Sequence, residues 1–170
     1  NTLLVEDING DGYPDIFAGN LGLNTRLHTS PENQLQLVVN DFDQNGAIEH
    51  ILVSHKEGRS IPWVMRNSLI KQLPSLRKQL STYASYQNKS LEELFPTNIL
   101  SKSMTLKLDK LTTTLWINQG DGTFQEASLP QLIQAAPVYA AVKQTHNGKN
   151  QLALGGNQSK IKPELGSQLG

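Results

Sequence analysis

The sequence predicts a mainly β protein that contains one helical segment, and three observations lead to this prediction. Short apolar runs alternate with turns rich in Gly, Asn and Asp, which is typical of strands joined by tight connections. A nine-residue acidic loop occurs twice between such runs, so a strand-loop-strand unit is repeated. Between about Arg66 and Lys102 the apolar residues recur at steps of four and three, which indicates helix.

The first acidic loop, residues 7–15, has the spacing of a calcium site. Its oxygen donors at positions 1, 3, 5, 7 and 9 are Asp7, Asn9, Asp11, the carbonyl of Tyr13, and Asp15. Gly12 allows the sharp turn at position 6, and Ca²⁺ takes about six to eight such oxygen ligands. An EF-hand also needs Glu at position 12 and flanking helices, but position 12 is Ala18 and the flanks resemble strands. We therefore expect a calcium loop between strands, with Asp15 as the remaining ligand.

A second copy of this loop spans residues 41–49, with Glu instead of Asp at position 9. Its expected ligands are Asp41, Asp43, Asn45, the carbonyl of Ala47, and Glu49. The alternative for both loops is a solvated turn, because Asp, Asn and Gly also form turns. The recurrence of the spacing favours one or two structural Ca²⁺ ions. A degenerate third copy at 143–151 keeps Asn147 and Gly148 but has no carboxylate, so it predicts a loop that turns without binding metal.

The strands can be placed in order along the chain. They are expected at 3–5, 15–19, 35–39, 49–55, 60–65, 112–117, 123–127, 138–142 and 152–154. Hairpin turns are expected at 56–59 and at 120–122. Asp121 has no carboxylate at ligand spacing except Glu126, so we assign it to a turn and not to a metal site.

The helical segment has its own start and stop signals. One apolar stripe is formed by Leu69, Leu73, Leu76, Leu80 and Tyr83. Pro74 suits the first position of a new helix, because that position does not use its N–H. Ser90 and Glu93 have the spacing of a capping box, which predicts a short helix that ends before Pro96.

Three segments follow from this order: repeats with two calcium loops over 1–66, a helical insert over 67–102, and continuing repeats with the degenerate loop over 103–170. A repeated strand-loop-strand unit suits the blades of a β-propeller, and the loop spacing predicts about three blades. A closed propeller has about four to eight blades. We therefore expect a fragment whose remaining blades, and any export signal, lie outside this sequence.

These loops resemble the FG-GAP calcium repeat of integrin α-subunit propellers, which also occurs in bacterial secreted proteins of the VCBS-repeat and ASPIC/UnbV type. The bacterial group is the more similar, through segments 19–25, 71–78, 118–124 and 154–157. The resemblance implies an extracytoplasmic β-propeller with structural calcium and no established catalytic residues. Extracellular calcium modules typically bind the ion with a Kd of about 10⁻⁴–10⁻³ M, which leaves them empty in the cytosol and filled outside it. We therefore expect a secreted, periplasmic or cell-surface location.

The composition excludes several classes of partner. Lys plus Arg and Asp plus Glu each number 15, so no net charge attracts nucleic acid or anionic lipid. No apolar run approaches the 18 residues of a membrane span, and there is no cysteine.

Between Glu57 and Glu92 all six charged residues are basic. We expect this stretch to form a solvated helix face or to contact an acidic protein or glycan, and we do not expect nucleic acid.

The sequence gives little support for catalysis. His50 and His55 are five residues apart, so on one strand they face opposite sides of the sheet. No serine-hydrolase elbow, zinc-protease, phosphate-loop or dinucleotide motif is present. We expect a non-catalytic interaction module that binds a protein or glycan. The alternative is a non-catalytic accessory part of a secreted carbohydrate-active or other extracytoplasmic enzyme.

Overall fold

The computed structural model describes residues 1–158 and 168–169, and it is mainly β, as the sequence predicts. The chain divides into two compact units. The first contains residues 1–27 and the chain from Leu111 onward, and the second contains His28–Lys110. The second unit is thus inserted into the sequence of the first, and its boundaries differ from the predicted changes of element type at 66/67 and 102/103. Residues 159–167 and 170, at the end of the predicted third segment, lie outside the described part.

The strands of the first unit are β1 (Thr2–Glu6), β2 (Asp15–Gly19), β7 (Thr114–Asn118), β8 (Phe124–Ala127), β9 (Ala140–His146), β10 (Lys149–Gly155), β11 (Asn157–Gln158) and β12 (Gln168–Leu169). Four of them form an antiparallel sheet in the order β1-β2-β7-β8, while β9 pairs with β10 and β11 pairs with β12. A 3₁₀ turn covers Gln131–Ala135. Phe17, Leu115 and Val138 form the buried centre, so a residue of β2 packs beside its partner on β7.

The elements of the second unit are β3 (Asn33–Asn40), β4 (Glu49–Lys56), β5 (Arg59–Pro62), α1 (Arg66–Gln72), a 3₁₀ turn (Pro74–Arg77), α2 (Leu91–Leu94), α3 (Thr97–Leu100) and β6 (Met104–Leu108). The strands form another four-stranded antiparallel sheet, in the order β5-β4-β3-β6. Met104–Leu108 was not expected as a strand. It pairs with β3, so residues 104–108 belong to the second unit's sheet.

The helical segment supplies most of the second unit's core. Val38, Ile51 and Val53 on the sheet pack against leucines and aromatic side chains that follow β5. The predicted stripe is buried at Leu69, Leu73, Leu76 and Leu80. Tyr83 was expected on the same stripe but is 65% exposed, because the chain does not continue as one helix. At Leu73 the backbone leaves the helical region, with φ −126° and ψ 81°, and Pro74 then begins a 3₁₀ turn.

Two hairpins are closed by two-residue turns in which both residues have positive φ, the geometry that matches the strand twist. In the β4–β5 hairpin these are Glu57 and Gly58, with φ values of 52° and 74°. In the β9–β10 hairpin they are Asn147 and Gly148, with φ values of 50° and 73°. The segment 143–151 therefore keeps the expected turn, but it is not a nine-residue loop: its other residues lie in the β9–β10 ladder.

Among the described residues, the helices are too short or too polar to cross a membrane.

The predicted helix start at Ser90 is confirmed, since its backbone N–H donates to Glu93 Oε2 at 2.9 Å. Helix α2 ends before Pro96, as expected. Glu93 also accepts hydrogen bonds from Arg59 at 2.8 Å and from Lys89 at 3.1 Å. This carboxylate thus connects the start of β5 to the start of α2.

The Ser90 N–H, with Lys89 and Arg59, lowers the pKa of Glu93 from 4.5 to about 2. The lowered pKa stabilises the folded state above pH 4.5, and this stabilisation is lost as the pH falls towards 2. We predict that Glu93→Gln lowers the melting temperature by a few degrees at pH 7 and that its difference from wild type disappears near pH 2. Glu57→Gln is the control, since Glu57 has only an exposed contact with Lys56 at 3.7 Å. A pH-independent difference for Glu93→Gln would contradict the prediction.

Candidate metal centre

The two acidic loops occupy equivalent places in the two sheets. Loop 1 (residues 7–15) joins β1 to β2, and loop 2 (residues 41–49) joins β3 to β4. In each pair the last loop residue is also the first residue of the second strand. Asp15 therefore lies opposite Glu6, and Glu49 lies opposite Asn40. The predicted strand-loop-strand unit is present twice.

The same four hydrogen bonds recur inside both loops. The position 1 carboxylate accepts from the N–H groups of positions 5 and 6, at 3.1 and 2.9 Å for Asp7 and at 3.0 and 2.9 Å for Asp41. The position 5 side chain accepts from the N–H of position 7, at 2.9 Å in loop 1 and 2.7 Å in loop 2. The position 9 carboxylate accepts from the N–H of position 2, at 2.8 and 3.0 Å. The side chains expected as ligands thus also organise the backbone turn.

These bonds have an electrostatic consequence at Asp7. Partial desolvation raises its pKa. Hydrogen bonds from the N–H groups of Gly12, Gly10 and Asp11, together with the charge of Lys143, lower the pKa by more than desolvation raises it. The net effect holds the pKa of Asp7 below its ordinary value. The position 1 side chain of loop 1 is therefore kept as a carboxylate, the form that binds a hard cation.

The position 9 carboxylates are buried. Asp15 has no exposed surface, and Glu49 is 5% exposed. The second oxygen of Asp15 accepts from the N–H of Asn118 on β7 at 2.9 Å, so both of its oxygens have backbone donors. A buried carboxylate is costly unless it is hydrogen-bonded or paired with a cation. Loop 1 meets this requirement with protein groups alone.

Position 3 distinguishes the loops. In loop 1 the amide of Asn9 donates to Asp11 Oδ2 at 2.7 Å. In loop 2 the position 3 residue is Asp43, whose side-chain carboxylate has no N–H to donate. Its Oδ1 is buried without a hydrogen-bond partner in the described part of the chain. Buried polar atoms nearly always have a partner, so this oxygen atom is a candidate ligand for an ion or an ordered water molecule.

The carboxylates of loop 2 converge. One oxygen from each of Asp41, Asp43 and Glu49 lies within 4.8 Å of the others, the one such group of three among the described residues. Two oxygen ligands that each lie about 2.3–2.6 Å from one calcium ion can be at most about 4.6–5.2 Å apart, so this separation is compatible with a shared ion. Two carboxylates 4 Å apart repel by about 1 kcal/mol in bulk water and by about 4 kcal/mol at an effective dielectric constant of 20. The residues of loop 2 therefore fit a divalent cation, which would replace this repulsion with attraction.

The remaining predicted ligands have different surroundings. Asp7, Asp11 and Asp15 do not converge as the loop 2 carboxylates do. The side-chain oxygen of Asn45 accepts the N–H of Ala47. The roles of the Tyr13 and Ala47 carbonyls, like those of the other predicted ligands, remain predictions.

Two contacts that the sequence did not indicate bring the β9–β10 hairpin to loop 1. Lys143 donates to the carbonyl of Asp7, and Asn150 donates to the carbonyl of Ile8 at 3.1 Å. The positive charge of Lys143 is one of the influences that lower the pKa of the Asp7 carboxylate. The sequence gives no indication of the contact between Lys143 and Asp7, because the two residues are far apart along the chain.

A residue of loop 2 also belongs to the core of the second unit. Phe42, at position 2, is 4% exposed, and its ring centroid lies 4.6 Å from that of Phe95. Just before the loop, Asn40 Nδ2 donates to the carbonyl of Ile99 at 2.7 Å. Just after it, Gln72 Nε2 donates to the carbonyl of His50 at 3.0 Å. Loop 2 is thus attached to the helical segment on both sides.

One serine-histidine contact is present in the same unit. His55 Nδ1 lies 3.0 Å from Ser60 Oγ across the β4–β5 ladder. Glu92 contacts Ser60 instead of the imidazole, so the serine lies between the acid and the histidine. A catalytic triad requires the acid to orient the histidine. This group connects α2 to β5 and lacks that arrangement.

Comparison with protein-family models, with curated proteins and with solved structures gave no match. The resemblance to FG-GAP repeats therefore depends on the loops and segments of this sequence. The repeated hydrogen bonds in loops 1 and 2 are an observation independent of that resemblance.

The attachment of loop 2 to the core predicts a large effect of one substitution. Phe42→Ala should destabilise the second unit by about 3–5 kcal/mol, because it removes a buried aromatic ring and leaves a cavity. Ile48→Ala is the matched control in the same loop, since Ile48 is 68% exposed.

The chain has one tryptophan in each unit, Trp63 and Trp116. In a Trp116→Phe background, urea unfolding monitored by Trp63 fluorescence reports on the second unit. Equal losses of stability in the Phe42 and Ile48 variants would show that loop 2 is not attached to the core as described.

Proposed function

We propose that this chain is a calcium-binding, non-catalytic module of a secreted, periplasmic or cell-surface protein, which binds a protein or glycan. The observation that carries the proposal is the buried, unpartnered Oδ1 of Asp43 within the convergent carboxylates of loop 2. Its position in a loop whose backbone hydrogen bonds recur in loop 1 supports a metal site over a chance cluster.

Calcium is the divalent ion that the donor set suits best. The candidate ligands are oxygen atoms from carboxylates, an amide side chain and a carbonyl, without sulfur or imidazole. Zinc and copper favour nitrogen and sulfur ligands, and magnesium needs a near-ideal octahedron, whereas calcium accepts irregular sets of oxygen atoms. When bound, the ion would neutralise the carboxylates of loop 2.

A structural role for the ion follows from where the loop is attached. Glu49 begins β4 and Phe42 lies in the core, so an ion held by Asp41, Asp43 and Glu49 would fix both ends of one core segment. Binding to the folded form alone stabilises it by about 2.7 kcal/mol at a hundredfold excess over Kd. At the affinities typical of extracellular modules, about 10⁻⁴–10⁻³ M, such a site fills outside the cytosol. This supports the extracytoplasmic location.

The propeller remains part of the proposal. Each unit contains a four-stranded antiparallel sheet, which is the size of one propeller blade. In each sheet two consecutive strands are joined by one acidic loop, as in the FG-GAP and VCBS repeats that the sequence resembles. We propose that further blades, outside this sequence, complete the assembly, as in the ASPIC/UnbV-like group.

The calcium proposal predicts opposite effects of one substitution with and without the ion. Asp43→Asn removes a buried, unpartnered charge and its repulsion, so in chelator the variant should melt at the wild-type temperature or above it. In millimolar Ca²⁺ the wild type should gain several degrees, whereas the variant should gain little because it has lost a ligand. Thermal unfolding at matched ionic strength measures both effects.

Asp121→Asn is the matched control for this experiment. Asp121 lies in the β7–β8 turn and accepts hydrogen bonds from the N–H and the hydroxyl of Thr123, at 2.9 and 2.6 Å. This variant should retain the full calcium-dependent gain. If wild type melts at the same temperature in calcium and in chelator, the calcium proposal fails. If Asp43→Asn keeps the full gain, the ion does not bind at loop 2.

A further inference from the structure

Two adjoining clefts lie on the helical segment, away from the acidic loops in sequence, and Arg66 lines both. The aromatic cleft has a volume of about 520 Å³, and its walls include Trp63, Tyr83, Tyr86 and Gln87. The basic cleft has a volume of about 390 Å³ and is lined by Arg66, Lys71 and Arg77 with Asn67 and Ile70. Volumes of this order are typical of small-molecule sites.

The cations of the basic cleft have no acidic partner in the described part of the chain. Arg66 donates to the carbonyl of Leu80 at 2.6 Å and to Asn67 Oδ1 at 2.9 Å, both uncharged acceptors. The ion pairs of this unit involve Lys56, Arg59 and Lys89 instead. Residues 58–91 contain no Asp or Glu, although the whole chain has no net charge. Three of the six cations of this stretch line the basic cleft.

The side chains between the clefts are held in place. The Arg66 guanidinium lies 5.4 Å from the centroid of the Tyr83 ring, and Asn67 donates to the Tyr83 hydroxyl at 2.9 Å. The Tyr86 hydroxyl donates to the carbonyl of Val64, and burial raises the pKa of Tyr86 to about 12. Two aromatic rings are thus oriented before any ligand arrives, which reduces the entropy lost on binding.

We propose that the two clefts form one binding site for an acidic saccharide. A pyranose ring would lie in the aromatic cleft, with its C–H face against the rings. Its carboxylate or sulfate would bind to Arg66, Lys71 and Arg77. Arginine suits this role because its planar group donates two parallel hydrogen bonds to an anion. The inference rests on the proposed binding role of the module, and it names the chemical class of the partner.

A saccharide fits these observations better than the other anionic partners do. Nucleic acid is held through a run of phosphates, and the basic cleft offers three cations around a space of about 390 Å³. An acidic peptide would use the cations but would leave the aromatic cleft without a function. A ring that carries one anionic group and several hydroxyl groups uses both clefts.

Binding can be measured on the full chain in a Trp116→Phe background, where Trp63 in the aromatic cleft is the one fluorophore of its kind. The probes are tetragalacturonate, a neutral galactotetraose and a heparin tetrasaccharide, with an oligothymidylate and a poly-glutamate peptide as competing classes. We expect tetragalacturonate or the heparin tetrasaccharide to bind at least about tenfold more tightly than galactotetraose. Binding of tetragalacturonate shows that a carboxylate is sufficient, whereas binding of the heparin tetrasaccharide alone, which carries carboxylates and sulfates, shows that sulfate is required.

Arg77→Gln tests the basic cleft, with Lys78→Gln as its neighbour and control outside the cleft lining. Arg77→Gln should weaken binding of the acidic probe about tenfold and leave the neutral probe unchanged, because one charged hydrogen-bonding partner is lost. Lys78→Gln should bind both probes as the parent does. The melting temperature of each variant shows that it is folded.

Equal binding of acidic and neutral probes, equal losses in the Arg77 and Lys78 variants, or no saccharide binding by the folded protein would overturn the proposal. Tighter binding of the oligothymidylate or the peptide would overturn it as well. Calcium-dependent melting of the same samples separates this inference from the calcium proposal. If melting depends on calcium but saccharides do not bind, the saccharide site alone is refuted, and the converse result refutes the calcium site alone.

Discussion

In each acidic loop the carboxylates at positions 1 and 9 accept hydrogen bonds from the backbone N–H groups of a tight turn. Asp7 and Asp41 accept from positions 5 and 6, while Asp15 and Glu49 accept from position 2. Because the position 9 residue also begins the next strand, closing the loop sets the register of the strand pair. The two sheets therefore depend on keeping several acidic side chains close together.

The loops resolve this crowding of charge in different ways. In loop 1 the position 3 amide donates to Asp11, and a backbone N–H of β7 donates to Asp15. Lys143 donates to the Asp7 carbonyl, and its charge lowers the pKa of the Asp7 carboxylate. In loop 2 a carboxylate stands at position 3, and one of its oxygen atoms is buried without a donor. The same backbone hydrogen bonds thus accompany paired carboxylates in loop 1 and an unpartnered carboxylate oxygen in loop 2, where we propose that a cation binds. Sequence spacing alone favours loop 1, which has Asp at position 9.

What the sequence predicts well is local. The acidic loops, the turns at 57–58 and 147–148, Pro74 and the Ser90–Glu93 cap each depend on residues a few positions apart, and the structure contains all of them. The features that the sequence did not indicate depend on distant residues. The strand Met104–Leu108 is mostly exposed and is defined by its pairing with β3. Lys143 approaches Asp7 only because the β9–β10 hairpin packs beside loop 1.

The helical segment illustrates the same limit and also connects the two proposed sites. Its leucines indicated a helix face, but periodicity could not show that this face fills the core of one unit. Loop 2 is attached to the segment through Phe42 on Phe95, Asn40 on Ile99 and His50 on Gln72. The clefts are carried by residues 63–87 of the same segment. An ion that orders loop 2 would therefore also hold the platform on which the aromatic and basic clefts are built. Ion binding and ligand binding would then be coupled through packing, without any shared ligand atoms.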